Sequence, residues 1–169
     1  GFHPMSHGIA LEGMRLVFDA LPSAVKDGSD IAARADMMAA ALMGAVGFQK
    51  GLGGVHALAH PLGAQFKAHH GTLNAVLLPH VLRANRDAIE QSIGRAAAYV
   101  GLMGGFDGFL ARVEALNTEI GIPNTLSAMG VGLSDPDRVV AAALRDPSAD
   151  GNPVPFKAPL ARQILTAAT

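Results

Sequence analysis

Five of the seven histidines, His56, His60, His69, His70 and His80, fall within one apolar stretch of the chain. Imidazole can carry a proton near neutral pH, and in its neutral form it is the commonest ligand for first-row metals. His56 and His60 are four apart, which on a helix places them on one face about one turn from each other. His70 follows ten residues after His60, beyond Gly63 and a loop, Ala64–Gly71, that can fold back over that face. Two imidazoles from a helix and its adjoining loop make half of a metal site. The same pair also fits a pair of hydrogen-bonded core histidines. The zinc-protease motif needs a Glu directly after the first histidine, and Ala57 stands there. The paired Glu-x-x-His units of di-iron bundles are also missing. Two histidines leave a four-coordinate cation open at two positions. His69 and His80 are weaker candidates, and His80, after Pro79, reads as a buried polar plug. His3 and His7 read as surface or capping residues.

The elements that would position these side chains are helical. A first helix opens at Pro4 and Ser6 and runs to Leu21, with Pro22 as its stop. Gly28-Ser29-Asp30 forms a turn with a capping side chain. From it springs a long Ala/Met helix, about Ile31 to Lys50, whose apolar residues on all sides predict burial. Gly51–Gly54 ends it. A short helix from Val55 to Leu62 stops at Gly63, and another runs from Thr72 to about Ala84. Further helices are expected over Asp87–Leu102, Phe106–Ile120, Asp135–Arg145 and Pro159–Ala167. Ser134-Asp135-Pro136-Asp137 is the clearest start, with a capping side chain, an early proline and acids at the positive end of the dipole. Gly121-Ile122-Pro123 and Gly151-Asn152-Pro153 read as loops. The fold class is all-α, a multi-helix bundle, with residues 1–169 as a single domain.

Composition narrows the function classes. Of 169 residues, 50% are hydrophobic and only 16% charged, against roughly 25% charged in an average globular chain. Mean hydropathy is +0.29. Without cysteine there is no disulfide framework and no thiolate metal or redox site. A net charge of −1 with no Lys/Arg cluster argues against a nucleic-acid or acidic-membrane partner. Disorder requires low hydrophobicity and high net charge, which this sequence lacks. The longest apolar stretch, Met37–Phe48, is 12 residues, short of the roughly 20 a membrane span needs. No secretory signal is visible at Gly1-Phe2-His3-Pro4, which looks like a chain entered partway. A cytoplasmic location is therefore expected. So apolar a surface implies cover, above all around Met37–Gly63.

The words around the histidines carry a resemblance. Phe48-Gln49-Lys50-Gly51-Leu52-Gly53-Gly54-Val55-His56-Ala57-Leu58-Ala59-His60-Pro61-Leu62-Gly63 is followed by His69-His70-Gly71-Thr72-Leu73-Asn74-Ala75-Val76-Leu77-Leu78-Pro79. This resembles the C-terminal domain of the iron-containing (group III) alcohol dehydrogenases, whose pattern is a GLG turn, HAxxHPxG on a helix, then HG-xx-NA-xxx-P. His3-Pro4-Met5-Ser6 and Ala10-Leu11-Glu12-Gly13 look like that domain's first long helix. Position 7 is His where relatives commonly have Asp. The resemblance covers essentially the whole chain and implies the helical fold shared with dehydroquinate synthase-like proteins.

It also implies a function: an NAD(P)-dependent, metal-activated oxidation of a small alcohol to an aldehyde or ketone, or the reverse. In that family one Fe(2+), sometimes Zn(2+), is held by an Asp and three His. His56 and His70 match two of these four ligands. His60 matches the histidine beside the metal and nicotinamide, a cofactor-contacting residue often given the role of proton relay. The other two ligands belong to a DAxxH helix expected about a dozen residues before Gly1. They and the nucleotide-binding domain that holds NAD or NADP are expected outside this chain, which alone should be inactive. At least a homodimer is implied. Two other readings remain open: a non-catalytic helical assembly or metal-binding module, and a glycerol dehydrogenase or dehydroquinate synthase-like relative.

Overall fold

The computed structural model describes His3–Thr169. Among the described residues there are eight α-helices and no strand. They are α1 (Pro4–Lys26), α2 (Ile31–Gly47), α3 (Gly54–Phe66), α4 (His70–Ala84), α5 (Arg86–Tyr99), α6 (Gly105–Glu119), α7 (Pro136–Ala143) and α8 (Ala158–Ala168). Short 3-10 turns lie at Phe48–Lys50, Ser127–Met129 and Pro147–Gly151. The all-α expectation holds. The helices divide into two units. One comprises the residues up to Gly51 with Gln91–Ile120, the other Leu52–Glu90 with Gly121–Thr169.

In the first unit α1 and α2 form an antiparallel pair. Pro4 occupies the first turn of α1, where its missing N–H costs nothing, and His3 caps the helix by accepting from the Ser6 N–H at 3.2 Å. Contrary to the expected stop, α1 continues through Pro22 to Lys26. A proline in a helix deprives the carbonyl four residues earlier of its donor. Here that carbonyl belongs to Phe18, and Arg112 of α6 donates to it through Nη2 at 3.2 Å. The same guanidinium lies 5.3 Å from the centre of the Phe18 ring, which meets Phe109 edge-on at 5.6 Å. Arg112→Ala should leave that carbonyl without its replacement donor and lower stability by about 2 kcal/mol. Calorimetric unfolding would read the loss, with Arg112→Lys recovering part of it.

Glu12 of α1 binds Arg15 through two contacts, 3.0 and 2.6 Å, and accepts from the Tyr99 hydroxyl of α5 at 2.9 Å. The Arg15 hydrogen bonds, then that of Tyr99, hold its carboxyl down at about 2. A depressed carboxylate contributes stability that is full above the unfolded value near 4.5 and is lost as pH falls toward 2. Carbon-13 NMR titration should therefore find Glu12 still ionised at pH 3. Tyr99→Phe should move its titration upward.

Asp30 caps α2 by accepting from the Ala33 N–H at 3.0 Å. Gly13 of α1 lets α2 approach, since a Cβ there would sit 3.2 Å from Met43 Cβ. The expected burial of α2 is not observed in this chain. Only Ala33 and Ala40 are buried, while Ile31, Met38 and Leu42 are 74%, 75% and 69% exposed. An all-round apolar helix needs cover, but its pattern does not say that its own chain supplies it. The helical run Ile31–Lys50 is also 20 residues long and, by length and composition, apolar enough to cross a membrane. The argument from a 12-residue stretch therefore does not hold for this helix.

The second unit holds five of the seven histidines. Its core is built from Leu58 and Leu62 of α3, Leu73, Val76 and Leu77 of α4, Val139 and Val140 of α7, and Ile164 and Leu165 of α8. One expected break fails. Gly63 lies inside α3, which contains Pro61 as well and runs on to Phe66. Glycine in a helix costs only about 1 kcal/mol, and burying Leu58, Ala59 and Leu62 outweighs that. The helix ends instead at Lys67, a non-glycine residue in the left-handed region at φ 54°. The expected loop Ala64–Gly71 shrinks to residues 67–69. His69 then caps α4, its Nδ1 accepting from the Thr72 N–H at 3.3 Å. Asp135 caps α7 as its sequence predicts.

Candidate functional site

The N-terminus of α3 carries the first histidine, and a latch of amides fixes it. No side chain of the preceding residue caps this helix. Its Gly54 N–H donates instead to Asn152 Oδ1, 98 residues away, at 3.0 Å. The same oxygen accepts from Asn85 Nδ2 at 3.0 Å. Asn152 Nδ2 in turn donates to Asn85 Oδ1 at 2.8 Å and to the Val154 carbonyl at 2.7 Å. Asn85, at the C-terminal end of α4, is only 2% exposed. The latch needs small residues around it. A Cβ on Gly54 would come within 2.9 Å of the Phe156 ring, and one on Gly151 would overlap the Leu52 carbonyl oxygen.

With both helices held, three imidazoles meet. His56 and His60 lie one turn apart on α3, and the three-residue turn brings in His70, the first residue of α4. Ring centroids are 5.7 Å apart for His56–His60, 5.3 Å for His56–His70 and 5.4 Å for His60–His70. The rings of His60 and His70 are nearly parallel, 14° apart. His70 therefore reaches the cluster from a helix N-terminus rather than from the loop expected to carry it.

Asn74, one turn along α4 from His70, lies between two of the rings. Its Nδ2 is 3.3 Å from His56 Nε2 and 3.1 Å from His70 Nε2. An amide nitrogen has only hydrogens to offer, so both imidazole nitrogens present lone pairs toward one point. The other end of that amide, Asn74 Oδ1, is buried and has no hydrogen-bond partner. Burial, reinforced by the His70 and His60 rings, pushes the His56 pKa down and favours its neutral, lone-pair-bearing form. Two converging imidazole lone pairs fit the donor set of a divalent first-row cation. Among the described residues no group of three His, Asp or Glu side chains is arranged to hold a metal.

His60 faces a partner that the sequence did not mark out. Its Nδ1 lies 2.8 Å from Asp146 Oδ2. Asp146 also caps the 3-10 turn Pro147–Gly151, its Oδ1 accepting from the Ser148 N–H at 2.8 Å. Burial raises the Asp146 pKa, but the bonds from Ser148 and His60 outweigh it and leave the carboxyl below its ordinary value. The Asp146-Pro147 pair resembles Asp135-Pro136 and could have been read as a cap, though not as a histidine's partner. Of the other histidines, His3 and His69 are helix caps. His80 lies half-buried in α4. His7 lines a cavity of about 230 Å³ with Ala10, Leu11, Met14, Ile93 and Arg95, and none of the three clustered imidazoles lines it.

Comparison with known proteins gives a consistent answer. Residues 2–169 match the Fe-containing alcohol dehydrogenase family, C-terminal. The chain is 39% identical over 173 residues to 4-hydroxybutyrate dehydrogenase of Cupriavidus necator, covering 97% of this chain and 45% of that protein. It is 40% identical over 139 residues to long-chain-alcohol dehydrogenase 1 of Geobacillus thermodenitrificans, covering 76% and 34%. Among solved structures, a 1,3-propanediol oxidoreductase superposes with a TM-score of 0.94 at 33% identity, covering 99% of this chain and 46% of that one. An alcohol dehydrogenase from Oenococcus oeni superposes with a TM-score of 0.93 at 27% identity, with the same coverage. The chain thus spans about half the length of the curated relatives it matches. Its full-length match and its helical architecture agree: this chain belongs to the iron-containing alcohol dehydrogenase family and corresponds to that family's C-terminal part.

Proposed function

We propose that this chain is the metal-binding helical domain of an NAD(P)-linked dehydrogenase that interconverts a small alcohol and its aldehyde or ketone. The observation that carries the reading is the convergence of His56 Nε2 and His70 Nε2 on one point, with the His60 ring beside them. His56 and His70 are the residues that would hold Fe(2+) or Zn(2+). The remaining ligands and the nucleotide site are assigned to another part of the parent protein. Bound metal would supply Lewis acidity toward an alcohol oxygen, and the nicotinamide would accept the hydride.

The rest falls to this chain's own side chains. The latch at Gly54, Asn85 and Asn152 keeps the His56 turn at a fixed distance from α4. Asn74 orients the two ligand rings through its amide hydrogens until a cation takes those lone pairs. His60 accepts the proton that the alcohol hydroxyl releases and passes it outward, which its 43% exposed side chain permits. Names of relatives such as 4-hydroxybutyrate dehydrogenase and 1,3-propanediol dehydrogenase favour primary alcohols and diols as the substrate class. A cytoplasmic, at least dimeric parent accords with this reading.

The test is metal analysis of the purified full-length protein, combined with nicotinamide absorbance during oxidation of short alcohols and diols. About one iron or zinc per chain is expected, with turnover abolished by chelation and restored by metal. Undiminished turnover in metal-free protein would overturn the assignment.

A further inference from the structure

His60 is a half-exposed side chain, and left alone its imidazole would sample both neutral tautomers. Its surroundings remove that freedom. Asp146 is only 13% exposed, and both of its oxygens are engaged, Oδ1 by the Ser148 N–H and Oδ2 by His60 Nδ1. An ionised carboxylate can only accept, so the hydrogen in the 2.8 Å contact must sit on Nδ1. One face of the imidazole is constrained too, lying nearly parallel, at 14°, to the His70 ring. Asp146 is itself rigidly placed, because its side chain caps the Pro147–Gly151 turn and its backbone N–H bonds to the Ala143 carbonyl at the end of α7.

We propose that Asp146 is the positioning residue of this site: it holds His60 as the Nδ1–H tautomer and leaves Nε2 as the nitrogen that can take a proton. The consequence for turnover rests on the function proposed above, while the tautomer itself does not. For the reaction proposed above, Nε2 would take the proton as the alcohol O–H bond breaks and would hand it to solvent, while a bound nicotinamide would supply the hydride acceptor. The wrong tautomer would present an N–H to the alcohol and could not accept.

The discriminating variant is Asp146→Asn. Asparagine caps helical turns as well as aspartate does, so the Ser148 contact is retained. Its amide hydrogens would now face Nδ1 and force the proton onto Nε2. The full-length protein, labelled with nitrogen-15 histidine and loaded with diamagnetic zinc, reports the tautomer directly. His60 signals are assigned by their loss in His60→Gln. The expected result is an Nδ1–H tautomer in the parent protein and Nε2–H in Asp146→Asn. In the same variant kcat should drop about 100-fold, with KM for the alcohol and metal content nearly unchanged. An Nε2–H tautomer in the parent, or no change on substitution, would overturn the proposal. So would an unchanged kcat in a protein that transfers hydride, or a loss of kcat matched by loss of metal. A parent protein that neither holds metal nor transfers hydride would instead fail the proposed function, and the tautomer measurement would still decide the role of Asp146.

Discussion

On the proposed function, replacing His70 with alanine should empty the metal site of the full-length protein and remove nearly all of its turnover. His56 and His70 Nε2 are the two lone pairs that converge within the described residues, so losing either leaves this half of the site with one donor. Disturbing an outer partner of a metal ligand typically costs 10–100-fold in metal affinity or activity. Loss of the ligand itself should exceed that, leaving less than about 1% of the activity. His56→Ala should behave alike. His60→Ala is the informative contrast, because it should retain metal while losing rate. Atomic absorption on dialysed protein separates the two outcomes. Metal at full occupancy in His70→Ala would show that the cation, if any, is held elsewhere.

The second large effect concerns the amide latch. Asn152→Ala would remove the acceptor of the Gly54 N–H, the donor to the Val154 carbonyl and the acceptor of Asn85 Nδ2, leaving Asn85 Oδ1 only the Val154 N–H at 3.4 Å. Asn85, 2% exposed, would then be left with its Nδ2 unsatisfied. At roughly 1–3 kcal/mol for each buried polar group left without a partner, a total of about 4 kcal/mol is expected. That corresponds to a fall of about 8–16 °C in Tm for a chain of this size. Asn152→Asp should rescue little, because an oxygen would replace the nitrogen that faces Asn85 Oδ1 and the Val154 carbonyl. Calorimetry gives the Tm, and hydrogen exchange at the Gly54 to Leu58 amides should locate the loosening at the start of α3. Unchanged exchange there would mean that the latch does not hold the histidine helix.

Much of this site was legible because its members lie close together in sequence. His56 and His60 declare a shared face by their spacing, and His70 follows within a single helical hairpin. The caps at Asp30 and Asp135 are also local, since a side chain bonds a backbone N–H three residues on. Asp146 and Asn152 were not legible in their roles. Each meets its partner across 86 or 98 residues, and nothing nearby distinguishes them from other turn residues. The misread helix ends have a different cause. Pro22 and Gly63 are local breakers, and each was overridden. At Pro22 a side chain from α6 satisfies the freed carbonyl, and around Gly63 a buried face keeps the helix going. For α2 the apolar pattern called for cover, and this chain does not supply it.

That uncovered stripe on α2 can be followed through sulfur chemistry. Met38 on the stripe is 75% exposed, and Met103, after α5, is 89% exposed. Both thioethers are open to mild peroxide, which converts a flexible apolar side chain into a polar sulfoxide. In the full-length protein the two should part company if α2 is covered there. Met103 would oxidise quickly and Met38 slowly, and peptide mass spectrometry would read the ratio. Equal rates would mean that the stripe meets water throughout the protein's life. Met103 would then serve as an internal clock against which protection of α2 is timed.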